Sequence, residues 1–147
     1  MANKIIRSPL FYVGDKYKLY PKIRKYFPKK INRFIEPFTG GGSVFLNVNA
    51  NEYLLNDIDA NVINIHQFLI EQSENPTDFF ESVFEIIQEY NLSHSYIKDI
   101  VPQELKDEWI KTYYAKFNKD GFDKLKADYN SSNKKSVLHL YLLLIFG

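Results

Sequence analysis

The order of apolar and polar positions divides the chain into a front of short elements and a helical back. NRFIEPF (32–38) is aromatic and β-branched and predicts a strand; EYLLND (52–57) predicts a second. Between them GSVFLNVNA (42–50) follows a helical pattern. Upstream, KYKLYPKIRKYFP (16–28) predicts an amphipathic helix limited by Pro28, with Tyr17, Leu19, Tyr20, Ile23, Tyr26 and Phe27 on its apolar side. Downstream, DANVINIHQFLIEQ (59–72) predicts a helix capped by Asp59. A second helix, NPTDFFESVFEIIQEYN (75–91), has Asn75 as cap and Pro76 in its first turn. Two more are expected over 102–118 and 122–130, then a polar break, SSNKK, and a last apolar helix or strand from Ser136. No internal repeat and no low-complexity linker interrupts this order.

The front half therefore reads strand, glycine turn, helix, strand, which opens a doubly wound α/β sheet whose ligands sit beyond the carboxyl ends of the strands. The turn is EPFTGGGSVF (36–45). Glycines there let the backbone turn sharply and approach a bound group closely. Asp57 ends the second strand about twenty residues later, where an acid accepts hydrogen bonds from ribose hydroxyls. The turn lacks the third glycine of the dinucleotide pattern, and no Gly-Lys-Ser/Thr follows it, which excludes a phosphate-binding P-loop. Turn and acid together point to a ligand carrying an adenosine-like ribose.

Charge adds a partner. Residues 1–35 hold ten Lys or Arg against one acid, Asp15, a net of +9; the remainder holds nine against seventeen, a net of −8. A basic block beside an acidic body suggests a polyanion on one face, with Lys22, Arg24, Lys25, Lys29 and Lys30 as candidate DNA contacts; a solvated helix face is the plainer alternative. The absence of cysteine excludes disulfides and thiolate metal sites. His66, His94 and His139 are scattered without ligand spacing, so no metal is expected. The apolar runs are too short for a membrane helix, and the chain reads as soluble and intracellular. The TYYAKF cluster (112–117) and Trp109 read as core.

Three segments, SPLFYVGDKYKLYPKIRKYFP, RFIEPFTGGGSVFLNV and LLNDIDANVINIHQFL, together resemble the DNA adenine-N6 methyltransferases of the Dam type. The match is specific over residues 8–70 and looser beyond. It implies a Rossmann-like class I methyltransferase fold, incomplete here, with an added helical segment after the second strand. Residues 1–70 would form the cofactor-binding α/β portion and 71–147 a mainly helical continuation. The cofactor would be S-adenosylmethionine and the substrate double-stranded DNA, in the cytoplasm of a bacterial, archaeal or phage-infected cell.

The resemblance carries over residue by residue. Tyr12, Gly14 and Lys16 match the first motif, with Lys16 near the methionine carboxylate of the cofactor. Glu36, Pro37, Phe38, Gly40, Gly41 and Gly42 match the second, with Gly40 and Gly42 beneath the cofactor and Glu36 facing its ammonium group. Asp57 would hold the ribose hydroxyls, and Ile58 would pack on the adenine or simply belong to the core. The implied reaction is displacement at the sulfonium methyl by the N6 of a flipped-out adenine. The family's catalytic Asp-Pro-Pro-Tyr does not occur in the sequence; the nearest string, NPTD (75–78), reads as a helix start. The expectation is an N-terminal cofactor-binding part, with a second polypeptide as candidate supplier of the catalytic half. The alternatives are a non-catalytic DNA-binding module or a cofactor-binding regulatory protein.

Overall fold

The computed structural model describes residues 4–10, 12–94 and 100–147. They fall into two compact units, residues 1–70 and 71–147.

The first unit is built on two parallel strands, β1 (Ile31–Glu36) and β2 (Ala50–Leu55), paired from Ile31 opposite Ala50 to Glu36 opposite Leu55. One face carries Phe34 and Tyr53, whose rings meet edge-on at 6.3 Å, and Phe27 packs on Phe34 from the preceding segment. Tyr20, Val44 and Val48 complete that core. The opposite face presents the Arg33–Glu52 ion pair beside Ile35 and Leu54, which are 56% and 57% exposed. Parallel sheets are ordinarily covered on both faces, so this exposed apolar pair is unusual.

The helix expected over 16–28 contracts to α1 (Tyr20–Ile23) and one 3-10 turn (Arg24–Tyr26). Only Tyr20 of its apolar side is buried, its hydroxyl donating to the Asn47 carbonyl, whereas Tyr26 is 77% exposed. Lys25 lies over the Tyr26 ring, which gives that ring a partner outside the core. The helix expected over 42–50 is likewise a single 3-10 turn, Phe45–Asn47. Asn47 ends it, bonding Ile6 and the Ser43 carbonyl, and β-branched Val48 leaves in extended conformation toward β2. Helix α2 (Ala60–Gln72) starts as expected, with Asp59 accepting from the Asn61 amide at 3.0 Å.

In the second unit α3 (Pro76–Glu89) opens on Asn75, which accepts from the Asp78 amide. Val83, Ile86, Tyr90 and Leu92 pack with Leu125 of α5 (Tyr113–Ser131) and Leu142 of α6 (Val137–Phe146). Before α5 comes the short α4 (Gln103–Glu108). The break expected between 118 and 122 instead falls at 109–112, and α5 runs straight through Gly121. The reason is contact, not flexibility: a Cβ on Gly121 would sit 2.1 Å from the Tyr90 carbonyl oxygen. Asn118 is buried beside it and exchanges two hydrogen bonds with the Ser93 backbone, 2.7 and 2.9 Å. Trp109 is 38% exposed rather than core, with Lys116 over its ring. Among the described residues no helix is long and apolar enough to cross a membrane.

Gly121→Ala tests this reading of α5. Helix propensity alone favours alanine by about 1 kcal/mol, but a methyl group driven onto a backbone carbonyl costs about 1–3 kcal/mol or more. The variant is expected to be less stable, with a lower urea midpoint; a midpoint at or above the parent's would show that the close approach does not matter.

Candidate functional site

The carboxyl ends of β1 and β2 are joined by their own backbone. The Asn56 amide donates to the Glu36 carbonyl and the Thr39 amide to the Asn56 carbonyl, each at 2.9 Å. Thr39 is 1% exposed, and its hydroxyl donates to the same pair of carbonyls. From this seam the chain rises through Gly40, Gly41 and Gly42, all buried.

Asp57 clamps that turn. One carboxylate oxygen accepts from the Gly40 amide at 2.8 Å and the other from the Asp59 amide at 3.1 Å. The Gly40 bond and then the Asp59 bond hold its carboxyl below the usual Asp range. Each oxygen keeps a lone pair for a further donor.

Gly42 takes φ +83°, and a Cβ there would lie 2.4 Å from Phe45 Cε1 and 2.7 Å from His66 Cε1. Glycine is required at this position both for its backbone conformation and for the side chains pressed against it. Tyr12 flanks the turn, its ring 3.4 Å from where a Gly40 Cβ would be. Burial and the nearby Asp57 and Asp59 raise its phenol. Gly14, at φ +82°, closes the turn in which the Asp15 amide bonds the Tyr12 carbonyl.

Lys16 Nζ donates to the Phe38 carbonyl at 2.7 Å and stands 3.9 Å from Glu36. Glu36 is 6% exposed, so it is not a strand-end charge in solvent; it accepts from the Phe45 amide at 3.1 Å. Burial raises its carboxyl, opposed by Lys16 and the Phe45 amide. Pro37 is exposed; Phe38 and Ile58 stand out into solvent at 74% and 98% exposure, and Ile58 is therefore not a core residue. Ser43 Oγ and Asp15 Oδ1 are buried beside the turn with no hydrogen-bond partner. Lys22, Arg24, Lys25, Lys29 and Lys30 are all exposed and lie apart from the turn in the chain before β1.

His66 belongs to this site although its sequence spacing gave no metal signal. It is 5% exposed on α2, and its Nε2 lies 2.8 Å from the Gly40 carbonyl. A carbonyl only accepts, so Nε2 carries the proton. The ring meets Phe45 edge-on at 5.3 Å. Burial lowers its pKa, opposed by the Gly40 bond and by Asp57. The available signal was helical: Val62, Ile65 and His66 form the buried face of α2, so His66 points inward.

Residues 12–146 match the family model of the D12 class N6 adenine-specific DNA methyltransferases. The chain belongs to that family. Modification methylase StsI of Streptococcus sanguinis and type II methyltransferase M.FokI of Planomicrobium okeanokoites are each 32% identical to it over 146 residues. Those matches take in 99% of this chain and 18% of each relative, so this D12-family chain spans about a fifth of their length. The DNA adenine methylase of Haemophilus influenzae is 48% identical over 59 residues, 40% of this chain and 21% of that enzyme. The mixed α/β structure, with its two-stranded parallel sheet and helices, is compatible with part of a methyltransferase fold.

Two outcomes are expected at the turn. Gly42→Ala should displace Phe45 or His66 and destabilise the first unit by about 1–3 kcal/mol, read as a loss of amide-exchange protection over residues 40–46; unchanged protection would show the space is not needed. His66 is held neutral, so its contribution is fully present above the ordinary histidine pKa of about 6.5 and is lost as pH falls through the lower folded value. Protection at Gly40–Ser43 should therefore drop between pH 7 and 5 in the parent. His66→Gln, which keeps an N–H donor but does not titrate, should flatten that drop; the same pH dependence in His66→Gln would remove His66 as its source.

Proposed function

We propose that this chain is the cofactor-binding part of a DNA adenine-N6 methyltransferase, holding S-adenosylmethionine at the carboxyl ends of β1 and β2 in a Rossmann-like class I arrangement. The observation that carries the reading is the clamp of Asp57 on Gly40 beside fully exposed Ile58. The residues fit such a ligand. Asp57 is ionised with acceptor capacity left for two ribose hydroxyls. Gly40, Gly41 and Gly42 carry no side chains of their own, which lets the turn pack closely against Tyr12, Phe45 and His66 at the strand ends. Ile58 and Phe38 provide apolar surface for a purine, with Pro37 beside Phe38. Lys16 and Glu36 form a charged pair suited to an amino-acid group, with Tyr12 and Gly14 closing that side. The cavity beside the turn, lined by Arg7, Ser8, Leu10, Tyr12 and Asp15, holds only about 70 Å³, so a nucleoside belongs on the open face.

When bound, S-adenosylmethionine supplies a methyl group on a sulfonium. This chain's part is to orient it and to hold its ribose. The sequence contains no Asp-Pro-Pro-Tyr. A second polypeptide contributing the catalytic segment is part of the proposal, supported by the exposed Ile35 and Leu54 on the uncovered sheet face. Double-stranded DNA would be the substrate, reached in the cytoplasm. A modification role follows the names of the StsI and M.FokI relatives. The competing reading, a DNA-binding module without a cofactor, is favoured by the exposed cations before β1.

Titration calorimetry with S-adenosylmethionine, S-adenosylhomocysteine and NAD tests the proposal. Saturable binding of the first two and not NAD is expected; no binding by the folded chain would overturn it. Asp57→Ala should weaken binding by about 1–3 kcal/mol, because ribose hydroxyls are left unpaired. An unaltered affinity in the folded variant would remove Asp57 from the ribose role.

A further inference from the structure

The charges of the first unit are sorted by strand direction. At the carboxyl ends of β1 and β2 stand Asp15, beside Gly41, with Glu36, Asp57 and Asp59, facing Lys16 and Arg7. At the amino ends the balance reverses. Lys29 and Lys30 immediately precede Ile31, the first residue of β1. With Asn32, Asn49 and Asn51 they line a groove of about 450 Å³. An adjoining groove of about 340 Å³ brings Arg24 and Lys29 together with Asn47 and Asn49. Neither groove is lined by a carboxylate, and Glu52, on the neighbouring strand, is engaged by Arg33 at 2.7 Å. Lys22 and Lys25 are exposed on the same helical stretch as Arg24.

Cations interleaved with side-chain amides are the chemistry that binds phosphate oxygens without reading bases. A strand advances about 3.3 Å per residue, so β1 alone puts about 17 Å between Lys30 and the glycine turn. At the turn end four carboxylates outnumber Lys16 and Arg7, whereas the three cations at the other end line grooves without a carboxylate, so phosphates are favoured there. Among the described residues Arg24, Lys29 and Lys30 form no ion pair.

We propose that the surface at the amino ends of β1 and β2, centred on Arg24, Lys29 and Lys30, holds a nucleic-acid phosphate backbone at a place separate from the glycine turn. Nucleic acid held there is not the stretch whose base would be presented at the turn. The contact is sequence-independent, and it tethers the chain to flanking duplex. It stands whether or not the turn binds S-adenosylmethionine.

Fluorescence anisotropy with a labelled 30-base-pair duplex of mixed sequence, at 50–200 mM salt with and without S-adenosylhomocysteine, tests the surface. The parent chain should bind with a steep salt dependence that the ligand does not change. The triple variant R24E/K29E/K30E should lose more than about tenfold in affinity, and R24Q/K29Q/K30Q should lower the log–log salt slope by about 2.7, near 0.9 per lost phosphate contact. Reversal of two exposed lysines of the second unit, K111E/K126E, should leave both quantities near the parent's. Parent-like affinity and slope in either triple variant, equal loss in the control, no DNA binding by the parent, or binding that appears only with S-adenosylhomocysteine would each overturn the proposal. Calorimetry on the parent and on the triple variants keeps the two readings apart: failure of the parent to bind S-adenosylhomocysteine while its DNA binding persists defeats the cofactor reading and leaves this one standing.

Discussion

The glycine turn after β1 is held from two sides by hydrogen bonds to one residue, and the rest of the first unit is arranged to keep them. Asp57, at the end of β2, takes the Gly40 amide, while His66, on the buried face of α2, engages the Gly40 carbonyl. A peptide in left-handed conformation, at φ +50°, cannot rely on a regular ladder for its polar groups. The strand seam at Thr39 and Asn56 fixes where the turn begins, and the Asp59 cap fixes where α2 begins. Loss of either partner would leave a buried backbone group unpaired, which costs about 1–3 kcal/mol.

That clamp has an electrostatic consequence. Buried Glu36, ionised Asp57 and nearby Asp15 and Asp59 crowd one end of a small sheet, while lysine and arginine gather at the other. Among the described residues one ion pair, Arg33 with Glu52, spans the middle of the strands. The two ends of the same sheet thereby differ in electrostatic character. Its second face remains apolar and uncovered at Ile35 and Leu54, in a chain spanning about a fifth of the StsI and M.FokI methyltransferases.

Much of this was legible in the residues. Both strands and the Asp59 and Asn75 caps could be read from short-range chemistry, because caps, turns and β-branched runs act over a few neighbours, whereas most of the motif residues from Tyr12 to Asp57 were implied by the family resemblance. Family membership followed from three motifs in order. Less legible were two apolar-periodic segments, of which 16–28 shrank to α1 and one 3-10 turn and 42–50 to a single 3-10 turn. Periodicity records which side chains can share a face, but not how much chain the neighbouring strands leave free to coil. Gly121 misled in the other direction, because a glycine that admits a carbonyl looks like one that ends a helix.

The sequence by itself determined the two strands and the helix caps, since both depend on side-chain type and local spacing, and its motifs identified the family. Only the tertiary structure decided that Glu36 is buried, that Ile58 is exposed, that His66 reaches the glycine turn and that Arg24 joins Lys29 and Lys30. Those facts depend on contacts between residues distant in sequence, such as Gly40 with His66, and no local pattern encodes which distant groups will meet.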